Sequence, residues 1–366
     1  MTKKISFNRL DRQYFMYQDE YEKKVLETLR SGWYILGPEV ENFEKEFSNY
    51  IGTKYSLGID NGLNALVIAF RALGLKAGDE VLVQGNTFIA SVMGITMNGA
   101  TPIFIEADEF DNIDIKLIES KITKKTKAIC VVHLYGQTAK MDKIMEIAKK
   151  YKLYVVEDCA QSHGSLFNGQ MSGSFGDISC FSFYPGKNLG CFGDGGAVTT
   201  NNEELYNQMK MLRNYGSSKK YHNDEVGYNA RLDELQAGLL RVKLSHLDEL
   251  TKQREYIANR YLQGITNSKI ELPKVRKDST SVWHLFVIKT DKRDRLQKYL
   301  EDKGIGTVIH YPIPPHLSKA YEYLGYKKGD FPITERYAET VLSLPLYNGM
   351  TSDEQDYVIE VINRYE

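Results

Sequence analysis

The segment Ser179-Cys-Phe-Ser-Phe-Tyr-Pro-Gly-Lys187-Asn-Leu-Gly-Cys-Phe-Gly-Asp-Gly-Gly196 carries Lys187 out of a strand-like run into a glycine-rich loop. In such a loop the backbone can approach a ligand closely, and helical order is disfavoured. A lysine held among apolar groups loses part of its proton affinity, so its amine can attack an aldehyde. Alone, the loop reads equally well as a surface turn with one ordinary lysine. Upstream, Leu153-Tyr-Val-Val-Glu157-Asp158-Cys-Ala-Gln161-Ser-His163-Gly puts two carboxylates at the end of an expected strand, where open α/β sheets present their ligand sites. Side chains alternate along a strand, so one of the two faces the pocket. A carboxylate there can pair with a protonated pyridine nitrogen, although an isolated acid at such a position commonly caps a helix. Asp60-Asn-Gly62-Leu63-Asn64-Ala follows the first expected strand and opens a helix, a junction whose free amides bind phosphate and where Gly62 admits the anion. Amine, ring-pairing carboxylate and phosphate cup together meet the needs of a pyridoxal-phosphate (PLP) site.

The elements that must position these groups follow from the apolar pattern. From Lys54 to Thr200 short β-branched runs alternate with helix-period segments, the pattern of a mostly parallel sheet wrapped by helices. Seven strands are expected, near Tyr55–Ile59, Glu80–Gln84, Thr101–Glu106, Ala128–Val132, Tyr154–Glu157, Ile178–Phe183 and Gly196–Thr200. The stretch Asn64–Leu73 is apolar on most faces and reads as a buried helix. Helices are expected at Glu203–Tyr215 and, as one long hinge element, across Arg231–Leu262; beyond them Ser281–Thr290 reads as a strand, Lys292–Lys303 as a helix and Ile305–His310 as a strand. This gives a large α/β domain over 1–245 and a smaller α+β domain over 246–366, a division natural for 366 residues.

Lys and Arg number 47 against 48 for Asp and Glu, so no global field marks the chain for nucleic acid or an anionic membrane. No apolar run reaches the roughly 20 residues needed to span a bilayer, and residues 1–12 lack the apolar core of a signal peptide, which points to the cytoplasm. The four cysteines, Cys130, Cys159, Cys180 and Cys191, form no CxxC pair and read as buried thiols; no metal site is expected.

These motifs resemble the DegT/DnrJ/EryC1/StrS sugar aminotransferases, a branch of the fold-type I PLP enzymes. The resemblance runs from Gly32-Trp-Tyr-Ile-Leu-Gly-Pro38 to His310-Tyr-Pro-Ile-Pro-Pro-His316. It implies that Lys187 forms the internal aldimine, that Asp158 contacts the pyridine nitrogen and that Gln161 lies beside the ring hydroxyl. It also implies that Gly62, Leu63 and Ser182 hold the phosphate and that Phe88, in Gln84-Gly-Asn-Thr-Phe88-Ile, stacks on the ring. A homodimer with shared sites is implied too, Asn229 in Gly227-Tyr-Asn229-Ala-Arg231 reaching the partner's phosphate. On its own, Asn229 reads as a helix cap with Asp233 and Glu234 in the first turn. Many relatives have Thr-Asp where this chain has Leu63-Asn64, so Leu63 offers only its backbone amide.

The resemblance further implies two half-reactions, an amino donor (L-glutamate) and a nucleotide-linked keto sugar. Leu63, Tyr135 and Cys159 resemble the branch that aminates C3, and a dTDP-linked 3-keto-6-deoxyhexose is the implied substrate, with a UDP sugar or C4 amination as the alternative. Tyr34, Tyr184, Lys219, Tyr221, His310 and Tyr311 are candidate substrate contacts, since aromatic hydroxyls and a lysine suit a sugar diphosphate without requiring net positive charge. His163 could join the cofactor network, or be a satisfied structural histidine. Among rivals, a PLP-dependent sugar dehydratase of this fold would carry histidine in place of Lys187. A nicotinamide oxidoreductase would need GxGxxG after the first strand. A non-catalytic, PLP-binding regulatory protein would keep the fold, but no DNA-binding module is evident.

Overall fold

The computed structural model describes residues 4–366. Seven of its strands, β1 (Tyr55–Ile59), β2 (Glu80–Gln84), β3 (Thr101–Ile105), β4 (Thr126–Val132), β5 (Tyr154–Asp158), β8 (Ile178–Ser182) and β9 (Gly196–Thr200), form one sheet in the order β1-β9-β8-β5-β4-β2-β3. The short pairs β6 (Leu166–Phe167) with β7 (Gln170–Met171), and β10 (Ser217–Lys219) with β11 (His222–Asn223), form separate hairpins. All seven expected strands are present within a residue or two. Those runs are apolar because helices cover both faces, which hides alternation but leaves the strand legible as a block.

Pairing is parallel from β8 through β5, β4 and β2 to β3, while β9 runs antiparallel between β8 and β1. Strands β1, β2, β3, β4, β5 and β8 therefore all end at one edge of the sheet, from which the loops carrying Gly62, Phe88, Gln161 and Lys187 depart. The helix Gly62–Ala72 lies behind this edge with Ala65 through Phe70 buried, packed in one cluster with Val92 and Ile95 of the helix Ile89–Thr96. Its first turn is ordered by Asn61, whose side chain accepts the Asn64 N–H at 2.8 Å.

A second buried cluster gathers Ile257, Tyr261, Phe286, Leu300, Leu342, Val358 and Ile362, together with Ile5 from the other end of the chain. Here three expectations change. The long element over Arg231–Leu262 is two helices, Glu234–Ser245 and Leu247–Gly264, interrupted at His246. That ring stacks on Tyr17 at 3.9 Å and bonds Glu20, so the interruption coincides with a tertiary contact in a segment that has no proline. Of Ser281–Thr290 only β12 (Phe286–Lys289) is a strand; Trp283 takes a positive φ of 49°, which an extended run cannot hold. Ile305–His310 is not a strand but makes isolated bridges, Ile305 to Ile5 and Val308 to Ser343. The partner of β12 is β13 (Val341–Leu344), antiparallel. Among the described residues no helix is long and apolar enough to cross a membrane.

Candidate active site

A cavity of 650 Å³ opens at the carboxyl edge of the sheet. Ten of the residues singled out by sequence line it: Lys187, Asp158, Gln161, Ser182, Gly62, Leu63, Phe88, Tyr184, His310 and Tyr311. The loop after β8 turns back on itself, with the Lys187 N–H bonded to the Tyr184 carbonyl and Cys191 N–H to the Phe183 carbonyl, both at 2.8 Å. This projects Lys187 into the cavity, where burial lowers its pKa to about 8 against the opposing pull of the Asp158 charge. The uncharged amine that a nucleophile requires is then reached nearer neutrality than in an ordinary lysine.

The two acids at the end of β5 separate as the pleat dictates. Asp158 lines the cavity, accepting from Ser91 Oγ at 2.6 Å and from the Ala160 N–H at 3.1 Å. Glu157 is wholly buried on the other side and accepts from the N–H groups of Gly173, Phe175 and Gly176, from Ser179 Oγ and from His133. The Ala139 N–H donates to Nδ1 of His133, so the proton shared with Glu157 sits on Nε2. His133, Glu157 and Cys159 are metal-ligand types within reach of one another, but this bonding engages both imidazole nitrogens and both carboxylate oxygens.

Where the helix Gly62–Ala72 begins, a Cβ added to Gly62 would lie 2.6 Å from Ser182 Cβ. The start of the helix and the end of β8 therefore meet without space for a side chain. The unpaired amides of the helix's first turn and the Ser182 hydroxyl converge there. Gln161 takes the Tyr135 N–H on Oε1 at 2.7 Å and donates from Nε2 to the Tyr311 hydroxyl at 3.0 Å. Phe88 and Tyr311 face one another with ring centroids 5.2 Å apart. An anion-binding helix start, an aromatic wall, a strand-end carboxylate and a lysine of lowered pKa fit a phosphorylated pyridine aldehyde. His163, by contrast, is wholly buried against Phe181 and Phe183 and does not line the cavity; burial pushes its pKa down to about 3.

Four of the sequence candidates lie away from this cavity. Tyr34 is exposed and donates to the Leu29 carbonyl. Lys219 and Tyr221 are exposed on the β10–β11 hairpin. Asn229 is bridged to Asn214 and caps no helix, since the helix starts after Asp233. Glu234 does stand in the first turn of its helix, but its carboxylate serves another helix start, accepting the N–H groups of Gly37, Glu39 and Val40 at the beginning of Pro38–Ile51. Conversely, Asn8, Asp194, Arg254 and His284 line the cavity without having been singled out. Asp194 lies within the glycine-rich segment of Lys187, but nothing local marks Asn8, Arg254 or His284, which tertiary folding brings from the chain's beginning, a helix and a loop.

Comparison with known proteins gives a consistent result. The DegT/DnrJ/EryC1/StrS aminotransferase family matches residues 16–363. The dTDP-3-amino-3,6-dideoxy-alpha-D-galactopyranose transaminase of Aneurinibacillus thermoaerophilus is 51% identical over 350 residues, 95% of this chain and 96% of that protein. The crystal structure of Streptomyces venezuelae DesV in complex with a ketimine intermediate superposes with a TM-score of 0.97 at 43% identity, covering 99% of this chain and 98% of that one. Bacillus subtilis NtdA with bound cofactor PMP gives 0.90 at 34% identity, over 99% and 85% of the two chains.

Proposed function

This chain belongs to the DegT/DnrJ/EryC1/StrS aminotransferase family, and from that premise we propose that it aminates C3 of a keto 6-deoxyhexose carried on dTDP, with L-glutamate as donor. The observation that carries the reading is the convergence of Lys187, Asp158 and the Gly62 helix start on one cavity. The sugar and nucleotide are supported by the substrate class named for the 51% identical relative. The cofactor is pyridoxal 5'-phosphate; when bound it supplies a carbonyl carbon for the amino group and a ring that withdraws electrons.

Lys187 Nζ accepts a proton from the carbon that bears the amino group and returns one on the other side of the exchange. Asp158 keeps the ring nitrogen protonated, itself steadied by Ser91 and the Ala160 amide. Gly62 and Leu63 amides and Ser182 hold the phosphate, Gln161 the ring hydroxyl, and Phe88 covers a face of the ring. Tyr184, His310 and Tyr311 contact the sugar. Tyr34, Lys219, Tyr221 and Asn229, which do not line the cavity of their own chain, complete a partner's cavity in a homodimer. A division near residue 245 accompanies this reading and is supported by the separate buried cluster from Ile257 to Tyr365.

A purified protein with a visible band that bleaches on glutamate addition establishes the first half of the reaction. Supplying dTDP- and UDP-linked 3-keto and 4-keto sugars and locating the amine by NMR tests the second. Turnover of only a 4-keto or UDP sugar refutes the substrate while leaving the transaminase intact.

A further inference from the structure

Asn188 follows Lys187 and is 4% exposed. Its Nδ2 donates to the Val282 carbonyl at 2.8 Å, which fixes the amide and presents Oδ1 to Nδ1 of His284 at 3.3 Å. An amide oxygen only accepts, so Nδ1 of His284 carries the ring proton and Nε2 keeps its lone pair. His284 and Lys187 line the same cavity, and among the described residues neither Nε2 nor Lys187 Nζ has a hydrogen-bond partner. An ammonium in a cavity of this kind needs acceptors.

The other polar groups that line the cavity are less fitted to receive this bond. Nδ1 of His310 is bonded to Ser343 Oγ at 2.8 Å, but a hydroxyl donates or accepts, so this bond does not fix the tautomer that leaves Nε2 an acceptor; the Tyr311 hydroxyl already accepts from Gln161. Arg254 donates to three main-chain carbonyls, those of Trp283, His284 and Leu346. Asp158 supplies the opposing charge, while Asp194 and Tyr184 line the cavity and His163 and Lys243 lie behind it. Burial, with Lys187 the first charge acting on it, lowers the pKa of His284 and keeps the imidazole neutral.

We propose that His284 is a positioning residue for Lys187: once the amine is free and protonated, Nζ donates a hydrogen bond to Nε2 of His284, and Asn188 holds the imidazole in the tautomer able to receive it. This rests on the reading of Lys187 as the working amine. Competitive acetylation of Lys187 across pH, read by peptide mass spectrometry in protein loaded with the amine form of the cofactor, reports the titration midpoint of that one group. His284→Phe is expected to lower the midpoint by about one pH unit, because the charged form loses an acceptor. His284→Gln, whose Oε1 can accept, is expected to restore most of it. An unchanged midpoint in a His284→Phe protein of normal melting temperature overturns the proposal. A second measurement does not depend on that variant folding: imidazole ¹⁵N shifts of the unaltered protein, assigned by the signal lost in His284→Gln, should place the proton on Nδ1, and a proton on Nε2 overturns the proposal equally. If borohydride reduction attaches the cofactor to another lysine, the underlying reading fails; a Lys187 adduct with an unmoved midpoint fails this proposal alone.

Discussion

Burial lowers the pKa of two lysines, Lys187 to about 8 and Lys243 to about 7, yet of the two only Lys187 lines the cavity. Lys243 donates to Gln13 Oε1 at 2.8 Å and to the Gly190 carbonyl at 3.1 Å, tying the loop of Lys187 to an N-terminal helix. Its contribution to stability has a definite sign. The folded pKa lies below the unfolded value of 10.5, so between about pH 7 and 10.5 the unfolded chain binds more protons and this contribution rises with pH. Urea melts of the unaltered protein and Lys243→Met from pH 6.5 to 9.5 should diverge, the unaltered protein gaining up to ~1.4 kcal/mol per pH unit. Parallel curves would mean that Lys243 titrates normally. At Asp158 the expectation concerns chemistry: Asp158→Asn keeps the hydrogen bond from Ser91 feasible but removes the charge. Turnover should fall by ~10²–10⁴-fold, the worth of a positioned ionisable group, while cofactor remains bound. Full activity would remove Asp158 from the mechanism.

At the scale of elements, two helix starts are built differently for different ends. The start of Pro38–Ile51 is closed by Glu234, a buried carboxylate facing three N–H groups and the positive end of the helix. Glu234→Gln is expected to lower unfolding free energy by about 1–3 kcal/mol in urea melts, since hydrogen bonds to a charged acceptor are lost. The start of Gly62–Ala72 is left open toward the cavity. Gly62→Ala drives a methyl against Ser182 and should weaken cofactor binding by about tenfold or more, ~1.4 kcal/mol, with a smaller effect on melting; unchanged affinity would move the phosphate elsewhere. These elements also show why parts of the molecule were legible. The seven sheet strands are short, largely buried blocks; Asp158 ends one of them, and Gly62 and Lys187 follow two others by a few residues, at the carboxyl edge where open α/β sheets place ligand sites. The C-terminal strands were misread because their boundaries depend on contacts made across the chain. Trp283 is turned to positive φ and Val308 is bridged to Ser343, and neither is encoded in local periodicity. His284 and Arg254 escaped notice for the same reason.

The whole molecule presents apolar surface that a single chain leaves uncovered. Phe15 is 64% exposed, Trp33 58%, Leu26 and Phe192 48% each and Leu29 47%. Tyr14, Tyr21, Val25, Leu26, Phe192 and Leu239 line one apolar groove between the N-terminal helix and the loop that follows Lys187. A contiguous apolar patch of this kind is suited to association, and Phe192 lies five residues after Lys187 in the chain. The net charge of −1 leaves little long-range repulsion between copies. We propose that a second copy of the chain occupies this groove; Tyr34, Lys219, Tyr221 and Asn229 do not line the cavity of their own chain. Sedimentation of the unaltered protein should therefore give a dimer at micromolar concentration. Leu26→Asp with Phe192→Asp should give monomers that retain helix content but bind cofactor poorly, because burying the introduced charges is unfavourable while the fold of each chain is untouched. Asn229→Ala should leave the dimer intact and weaken cofactor binding, since it removes a hydrogen bond to an anion rather than apolar contact. A double variant that sediments as a monomer and turns over at the rate of the unaltered protein would show that each chain holds a complete site, and the role given to Asn229 would fall with the dimer.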